Sequence, residues 1–199
     1  MTRRRHVVVG AVAGFALSAC DRFAAAPGAP TFRSTDITGA SFARQLELPD
    51  ADGRTRALAD WRGKVVVVFF GYTQCPDVCP TTMAELARVR AALGVDGERL
   101  QAVFITVDPE RDTPEVLKAY VGNFGPGFTA LRGTPEQVAA VAKEFKVFYA
   151  KVPGRTSGNY TMDHSAASFV FDPQGRVRLY VAYGGDPKNL AADLKQLLA

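Results

Sequence analysis

KVVVVFFGYTQCPDVC, residues 64–79, joins an uninterrupted β-branched and aromatic run to a pair of cysteines. A run of this kind without polar interruptions is typical of a central strand that is covered on both faces. The cysteines come directly after this strand and are therefore expected at the carboxyl edge of the sheet, where α/β proteins place reactive groups. Residues 82–93 repeat apolar side chains at helical spacing, and Thr82 with Glu85 predicts a capping box where this helix begins. The stretch therefore predicts a strand, a cysteine loop and a helix.

The same patterns predict further strands and helices on both sides of this unit. Upstream, a turn at residues 50–53 predicts a short hairpin of residues 42–49 and 54–58. Downstream, the predicted elements are a strand at 100–107, helices at 114–123 and 135–145, a strand at 147–152, a loop at 154–160, a hairpin of 165–171 and 176–182, and a last helix that begins at 187. This alternation predicts an α/β fold, a mixed sheet flanked by helices on both faces.

The first 35 residues predict export and a lipid anchor. Arginines at positions 3–5 precede an apolar run at residues 7–17 that is too short to cross a bilayer. Leu17-Ser18-Ala19-Cys20 resembles the lipobox of bacterial lipoproteins, so we expect residues 1–19 to be a lipoprotein signal peptide and the Cys20 thiol to be acylated. Residues 20–35 are then the lipidated N-terminus and tether, and residues 36–199 are one folded domain. The alternative is an uncleaved anchor with an incidental cysteine.

The basic charge of the chain comes from this signal. The chain has 24 Lys and Arg against 20 Asp and Glu, and residues 1–19 contain three of the basic side chains and none of the acidic ones. The mature domain is therefore nearly neutral, without a basic stripe, and we do not expect it to bind nucleic acid. We expect it at the periplasmic face of the inner membrane, because Asp21 after the lipidated cysteine resembles a retention pattern.

After removal of the signal and acylation of its last cysteine, the chain retains Cys75 and Cys79 as thiols and His164 as imidazole. The spacing of four keeps the two sulfurs close, and a nearby helix N-terminus is expected to lower the pKa of both thiols. Thiolates favour Cu(I), zinc or iron–sulfur clusters, and two thiolates with one imidazole suit a three-coordinate copper site. Zinc prefers a fourth ligand, which Asp77, Asp163 or water could supply.

His164 joins this set only if the fold allows it. It lies 85 residues after Cys79, just before the strand predicted at 165–171, so the spacing alone does not bring it to the cysteines. Without the cysteines, a histidine at this position would more often be a hydrogen-bonded side chain at the start of a strand than a ligand. Met83 and Met162 could add soft sulfur, but methionines more often fill the core, and we leave them out of the predicted site.

Four segments carry a resemblance to the SenC/Sco family: GYTQCPDVCPTT at 71–82, VDPERDTP at 107–114, DHS at 163–165 and WRGK at 61–64. The resemblance runs from about residue 36 to 198, and Gln74 stands where many members carry other residues. It implies a thioredoxin-like fold with an added N-terminal β-hairpin.

This resemblance also implies a function. The family delivers copper, Cu(I) or Cu(II), to the CuA centre of cytochrome c oxidase, with Cys75, Cys79 and His164 as the implied ligands. The implied partners are the copper-bearing oxidase subunit, a periplasmic thiol reductant and the membrane. We therefore predict a copper metallochaperone and not an enzyme.

The cysteine pair is also compatible with roles apart from copper delivery. A Cys75–Cys79 disulfide would suit an oxidising compartment, although closing so short a loop stabilises a fold little. A thiol–disulfide oxidoreductase would use the pair to reduce client cysteines, but such enzymes have two residues between the cysteines and a proline facing them. A copper sensor or copper-tolerance protein would use the same ligands with another client. A peroxidase of the peroxiredoxin type is disfavoured because Thr73 lies two residues before Cys75 and not three.

Overall fold

Strands and helices alternate along the computed structural model, which describes residues 31–156 and 158–199. The strands are β1 (Thr35–Asp36), β2 (Glu47–Pro49), β3 (Thr55–Ala57), β4 (Val65–Gly71), β5 (Leu100–Thr106), β6 (Phe128–Leu131), β7 (Tyr149–Pro153), β8 (Tyr160–His164), β9 (Ser168–Phe171) and β10 (Val177–Val181). The helices are α1 (Val78–Ala92), α2 (Pro114–Gly122), α3 (Pro135–Glu144) and α4 (Pro187–Leu198).

Six of the strands form one mixed sheet in the order β1-β10-β9-β4-β5-β6. Strand β4 pairs in parallel with β5, with Val65 opposite Leu100, and antiparallel with β9 on its other side. Every residue of β4 and β5 is buried, because both faces of these central strands are covered. The mixed sheet and the buried strand predicted at its centre are therefore confirmed.

Three helices begin at the caps that the sequence predicts. The side chain of Thr113 accepts a hydrogen bond from the backbone of α2, and that of Asp186 accepts one from the backbone of α4. Thr134 and Gln137 form a reciprocal capping box at α3. Each of these helices has a proline in its first turn. A backbone N–H there has no acceptor within the helix, so the N–H that proline lacks costs no hydrogen bond.

Helix α1 begins at Val78, four residues before the predicted start, so the capping box predicted at Thr82 is wrong. Pro80 is tolerated here because it lies in the first turn, where backbone N–H groups need no intrahelical partner. Thr82 is instead buried inside the helix, and its hydroxyl has no hydrogen-bond partner among the described residues. The earlier start places Cys79 on the helix itself.

Two hairpins stand apart from the main sheet. Strands β2 and β3 form the hairpin added before β4, as expected, and β7 pairs with β8 in a second two-stranded sheet. The loop predicted at 154–160 is thus the turn of a hairpin, and His164 ends β8 instead of preceding a strand at 165. The next strand, β9, begins only at Ser168, and β6 at Phe128–Leu131 falls where no strand range was predicted.

The described chain begins beside the last helix. The backbone N–H groups of Arg33 and Ser34 donate to the buried carboxylate of Asp193, at 2.9 and 2.8 Å, and β1 pairs with β10. These contacts lie before residue 36, where the sequence places the start of the domain. The predicted signal peptide and Cys20 lie outside the described residues. Among the described helices, none has the length and apolar character needed to span a membrane.

Candidate metal centre

The two cysteines lie at the carboxyl end of β4. Cys75 is half-buried in the loop after the strand, and its backbone N–H donates to the carbonyl of Tyr72 at 3.3 Å. Cys79 is fully buried in the first turn of α1, and its backbone N–H donates to Sγ of Cys75 at 3.4 Å. Both are free thiols in the structure, and the Cys75–Cys79 disulfide that their spacing allows stays a prediction.

The imidazole of His164 reaches the same place from the end of β8. Its Nε2 lies 3.4 Å from Sγ of Cys79, and its Nδ1 lies 3.0 Å from the carbonyl oxygen of Ser165. A carbonyl only accepts, so we assign the ring proton to Nδ1, which leaves the Nε2 lone pair facing the sulfur. Orientation of a ligating histidine by a hydrogen bond to its other nitrogen is the usual arrangement in metal sites.

Cys75, Cys79 and His164 together form a compact donor set. Their ligand atoms all lie within 4.8 Å of one another. In a three-coordinate site with metal–sulfur bonds of about 2.3 Å, two sulfurs lie about 4.0 Å apart. Side-chain shifts of less than about 1 Å would therefore let all three donors bind one soft ion.

Zinc fits this set less well. In the described part of the chain, no carboxylate joins the group of three donors. Asp77 and Asp163, the fourth ligands considered from the sequence, are both exposed, and Asp77 accepts a hydrogen bond from Thr81 at 3.4 Å. Met83 and Met162 are both buried, as side chains that fill the core would be.

Aromatic rings and a glycine enclose the donors. Phe69 and Tyr72 each place a ring 6.0 Å from the imidazole of His164, at interplanar angles of 76° and 89°. At Gly71, a Cβ atom would lie 2.8 Å from Sγ of Cys79 and 2.8 Å from the Phe104 ring. The sulfur therefore occupies space that any side chain at position 71 would need.

The thiol of Cys79 differs from the expectation drawn from the helix N-terminus. Burial raises the pKa of Cys79 above the ordinary range of a thiol, and the hydrogen bond with Cys75 adds to the shift. The prediction of a lowered pKa is thus wrong for Cys79, because loss of solvation outweighs the helix dipole. A bound cation would reverse this balance, since a thiol that coordinates a metal gives up its proton.

A buried carboxylate holds the cysteine loop, and the sequence patterns did not single it out. Asp112 accepts hydrogen bonds from the Thr73 hydroxyl at 2.6 Å, from the Thr73 backbone N–H at 3.1 Å and from the Thr106 hydroxyl at 2.5 Å. Burial raises the pKa of Asp112. The position of Asp112 in the sequence could have indicated this role. Residues 107–114 follow β5, and β5 ends at the same edge of the sheet as β4 because the two strands are parallel.

Comparisons with known proteins found a matching family model and similar sequences. A family model described as SCO1/SenC matches residues 34–199. The SCO2-like protein of Rickettsia felis is 37% identical over 151 residues, which are 75% of this chain and 74% of that protein.

Solved structures show the same fold. Bradyrhizobium japonicum ScoI with copper bound is 41% identical, with a TM-score of 0.70 over 77% of this chain and 98% of that one. Apo Sco1 from Thermus thermophilus is 40% identical, with a TM-score of 0.75 over 84% of this chain and 98% of that one. These neighbours confirm the expected thioredoxin-like fold.

Proposed function

Because this chain belongs to the SCO1/SenC family, we propose that it carries copper as its cargo and delivers it to the CuA centre of cytochrome c oxidase. The proposed ligands are Cys75, Cys79 and His164. The observation that carries the proposal is the convergence of two sulfurs and one imidazole nitrogen within 4.8 Å. The copper-bound structure of the Bradyrhizobium japonicum relative supports the choice of metal.

The donor set suits an ion that must be both held and released. Two thiolates and an imidazole satisfy Cu(I) with three ligands and leave room for a further donor from a partner. Cys75 and His164 are half-buried, whereas Cys79 is closed off from solvent. Ligand exchange with the copper-bearing oxidase subunit would therefore begin at Cys75 and His164, which the partner can reach. Cys79 would be the last protein ligand to dissociate from copper.

The setting of this function is also proposed. Residues 1–19 would direct export, and acylated Cys20 with the tether that follows it would hold the folded domain at the periplasmic face of the inner membrane. A periplasmic reductant would keep both thiols reduced. The order of basic residues, apolar run, small residues and cysteine supports this proposal.

The test is a titration of the reduced protein with Cu(I) and with Cu(II), repeated with His164→Ala. We expect a single site in the parent protein and an affinity at least tenfold lower in the variant, with loss of the nitrogen contribution to the Cu(II) spectrum. Asp163→Ala is the matched control, because this neighbouring side chain is exposed and lies outside the donor group. Unchanged affinity and spectra in His164→Ala would remove His164 from the site.

A second candidate function uses the cysteines as a redox pair. The contact between the Cys79 N–H and Cys75 Sγ favours it, because the two cysteines lie side by side. In this reaction the dithiol passes two electrons and two protons to a client disulfide, which becomes two thiols, while a Cys75–Cys79 disulfide forms. Multiple turnovers by the metal-free protein with an exported reductant would favour the reductase. Copper transfer to the apo oxidase subunit, without such turnover, would favour the chaperone over both the reductase and a copper sensor.

A further inference from the structure

The guanidinium group of Arg111 lies at the junction of three segments around the donor set. Arg111 follows β5, and its Nε donates to the buried carboxylate of Asp108. Its Nη1 donates to Oε1 of Gln74 at 3.2 Å and to the carbonyl of Tyr160 at 2.9 Å. One side chain therefore joins the loop after β5, the cysteine loop and the first residue of β8.

The ring of Tyr160 completes this junction. The Arg111 guanidinium lies 3.6 Å from the centroid of the Tyr160 ring, as a stacked cation does, and the Tyr160 hydroxyl donates to Asp108 at 2.8 Å. The Arg111 side chain is only 18% exposed, so these contacts are screened less by water than surface pairs are. Tyr160 begins the strand that His164 ends, four residues later.

The hairpin of β7 and β8 depends on such attachments. It forms a two-stranded sheet of its own, and β7 is exposed over most of its length. An isolated two-stranded hairpin is marginally stable in water, so its position on the domain is set by the side chains that fasten it. Met162, in the middle of β8, is buried in the core and attaches the hairpin there. The hydrogen bond from Arg111 to the carbonyl of Tyr160 attaches the start of β8.

We propose that Arg111 is a positioning residue that holds the β7–β8 hairpin against the cysteine loop and so sets the distance between His164 Nε2 and the two sulfurs. This inference rests on the proposed function. Arg111 does not touch the donor atoms; its contacts with Tyr160 and Gln74 set how close β8, and with it His164, lies to the cysteine loop. Residues that orient metal ligands in this way typically change metal affinity by about 10- to 100-fold when they are mutated.

The test combines two measurements on the full chain. In the reduced, metal-free protein, Arg111→Met should speed amide hydrogen exchange of residues 160–164 at least tenfold and leave β4 and β5 unchanged. In copper titrations, Arg111→Met should lower affinity about tenfold in the parent protein, but not further in the His164→Ala variant, because the effect travels through His164. An equal loss in both backgrounds, or no loss in the parent, would overturn the proposal.

Two further variants make the result specific. Lys151→Met is the matched control, because Lys151 also lies over the Tyr160 ring, at 4.2 Å, but is exposed and forms its ion pair with Glu110, which is exposed as well. We expect Lys151→Met to leave the exchange rates and the copper affinity within twofold of the parent values.

Arg111→Lys keeps the charge beside Asp108 and should keep the fold. One ammonium group cannot replace the planar guanidinium fork, so the affinity loss should persist. Full affinity in Arg111→Lys would show that charge suffices and would overturn the proposal.

Failure of the copper site can be told apart from failure of this inference. If His164→Ala alone leaves copper affinity unchanged, the proposed ligand set is wrong. The exchange measurement then decides the role of Arg111 by itself: faster exchange of residues 160–164 in Arg111→Met supports the fastening of the hairpin, and unchanged exchange overturns it.

Discussion

Nε2 of His164 lies 3.4 Å from Sγ of Cys79, although the two residues are 85 positions apart in the chain. The contact joins the first turn of α1 to the last residue of β8, a helix and a strand that share no backbone pairing. The geometry of the candidate metal centre therefore depends on the side chains that hold these two elements in place.

Replacement of Gly71 by alanine should damage both stability and the site. The new methyl group would lie 2.8 Å from Sγ of Cys79 and from the Phe104 ring, and overpacking of a core costs about 1–3 kcal/mol. Urea unfolding and a copper titration would measure the two effects. Gly122→Ala is the control, because a Cβ there meets nothing within 4 Å and alanine suits the end of α2. A Gly71→Ala protein with parent stability and affinity would contradict the packing described.

Alkylation of the reduced, metal-free protein should discriminate between the two thiols. Cys79 is fully buried and its pKa is raised by that burial, so it offers little thiolate, whereas Cys75 is half-buried in the loop. At mildly alkaline pH we expect iodoacetamide to label Cys75 at least tenfold faster than Cys79, as measured by mass spectrometry of peptides. In urea, where the fold is lost, both should react at similar rates. Preferential labelling of Cys79 in the folded protein would refute the assignment.

Asp50 should make stability depend on pH in the acid range. Burial alone would raise its pKa, but the Arg56 guanidinium and the backbone N–H groups of Arg54 and Asp52 outweigh burial and hold the pKa of Asp50 below its usual value. The stabilisation is therefore present above pH 3.8 and is lost as pH falls through the lower pKa of the folded state. Asp50→Asn should cost about 2 kcal/mol at pH 7, and less toward pH 2, in urea unfolding.

Asp52→Asn is the matched control for this experiment. Asp52 is in the same turn but is 62% exposed, and its partner Lys118 is exposed as well. Such surface pairs contribute little, so we expect a change below about 0.5 kcal/mol at either pH. Equal effects of the two substitutions would show that burial of Asp50 does not matter.

Asp193→Asn should loosen the first described residues. The buried carboxylate accepts hydrogen bonds from the backbone of Arg33 and Ser34, and an amide can accept from only one side. We expect a cost of about 1–3 kcal/mol and faster hydrogen exchange at residues 33–36. Asp96→Asn, at a half-exposed pair with Arg99, should leave both quantities unchanged. Unaltered exchange in Asp193→Asn would show that different contacts fix this segment.

Sequence patterns predicted the strands and helices that depend on residues close together in the chain. The apolar run of β4 and the caps at Thr113 and Thr134 depend on neighbours within a few residues, and they were predicted with little error. The start of α1 was misplaced because Thr82 and Glu85 have the spacing of a capping box, whereas the helix begins earlier and accommodates Pro80 in its first turn.

The remote parts of the site could not be predicted in the same way. The spacing of Cys75 and Cys79 alone guarantees that they are neighbours, but nothing local brings His164 to them. The same holds for Arg111, whose partners come from three segments, and for the pKa of Cys79, because burial is a property of the whole fold. The family resemblance of four short segments implied the ligand set that we propose, and the geometry showed which contacts surround it.

The unequal separation of the three donors along the chain has a thermodynamic consequence. Cys75 and Cys79 stay four residues apart even in an unfolded chain, whereas His164 joins them only when β8 takes its native place. Copper binding through sulfur is therefore open to the denatured chain as well, and that binding offsets part of the stabilisation that copper gives the native fold. The bond to nitrogen belongs to the native state alone, so copper loading should raise the melting temperature of the parent protein more than that of the His164→Ala variant.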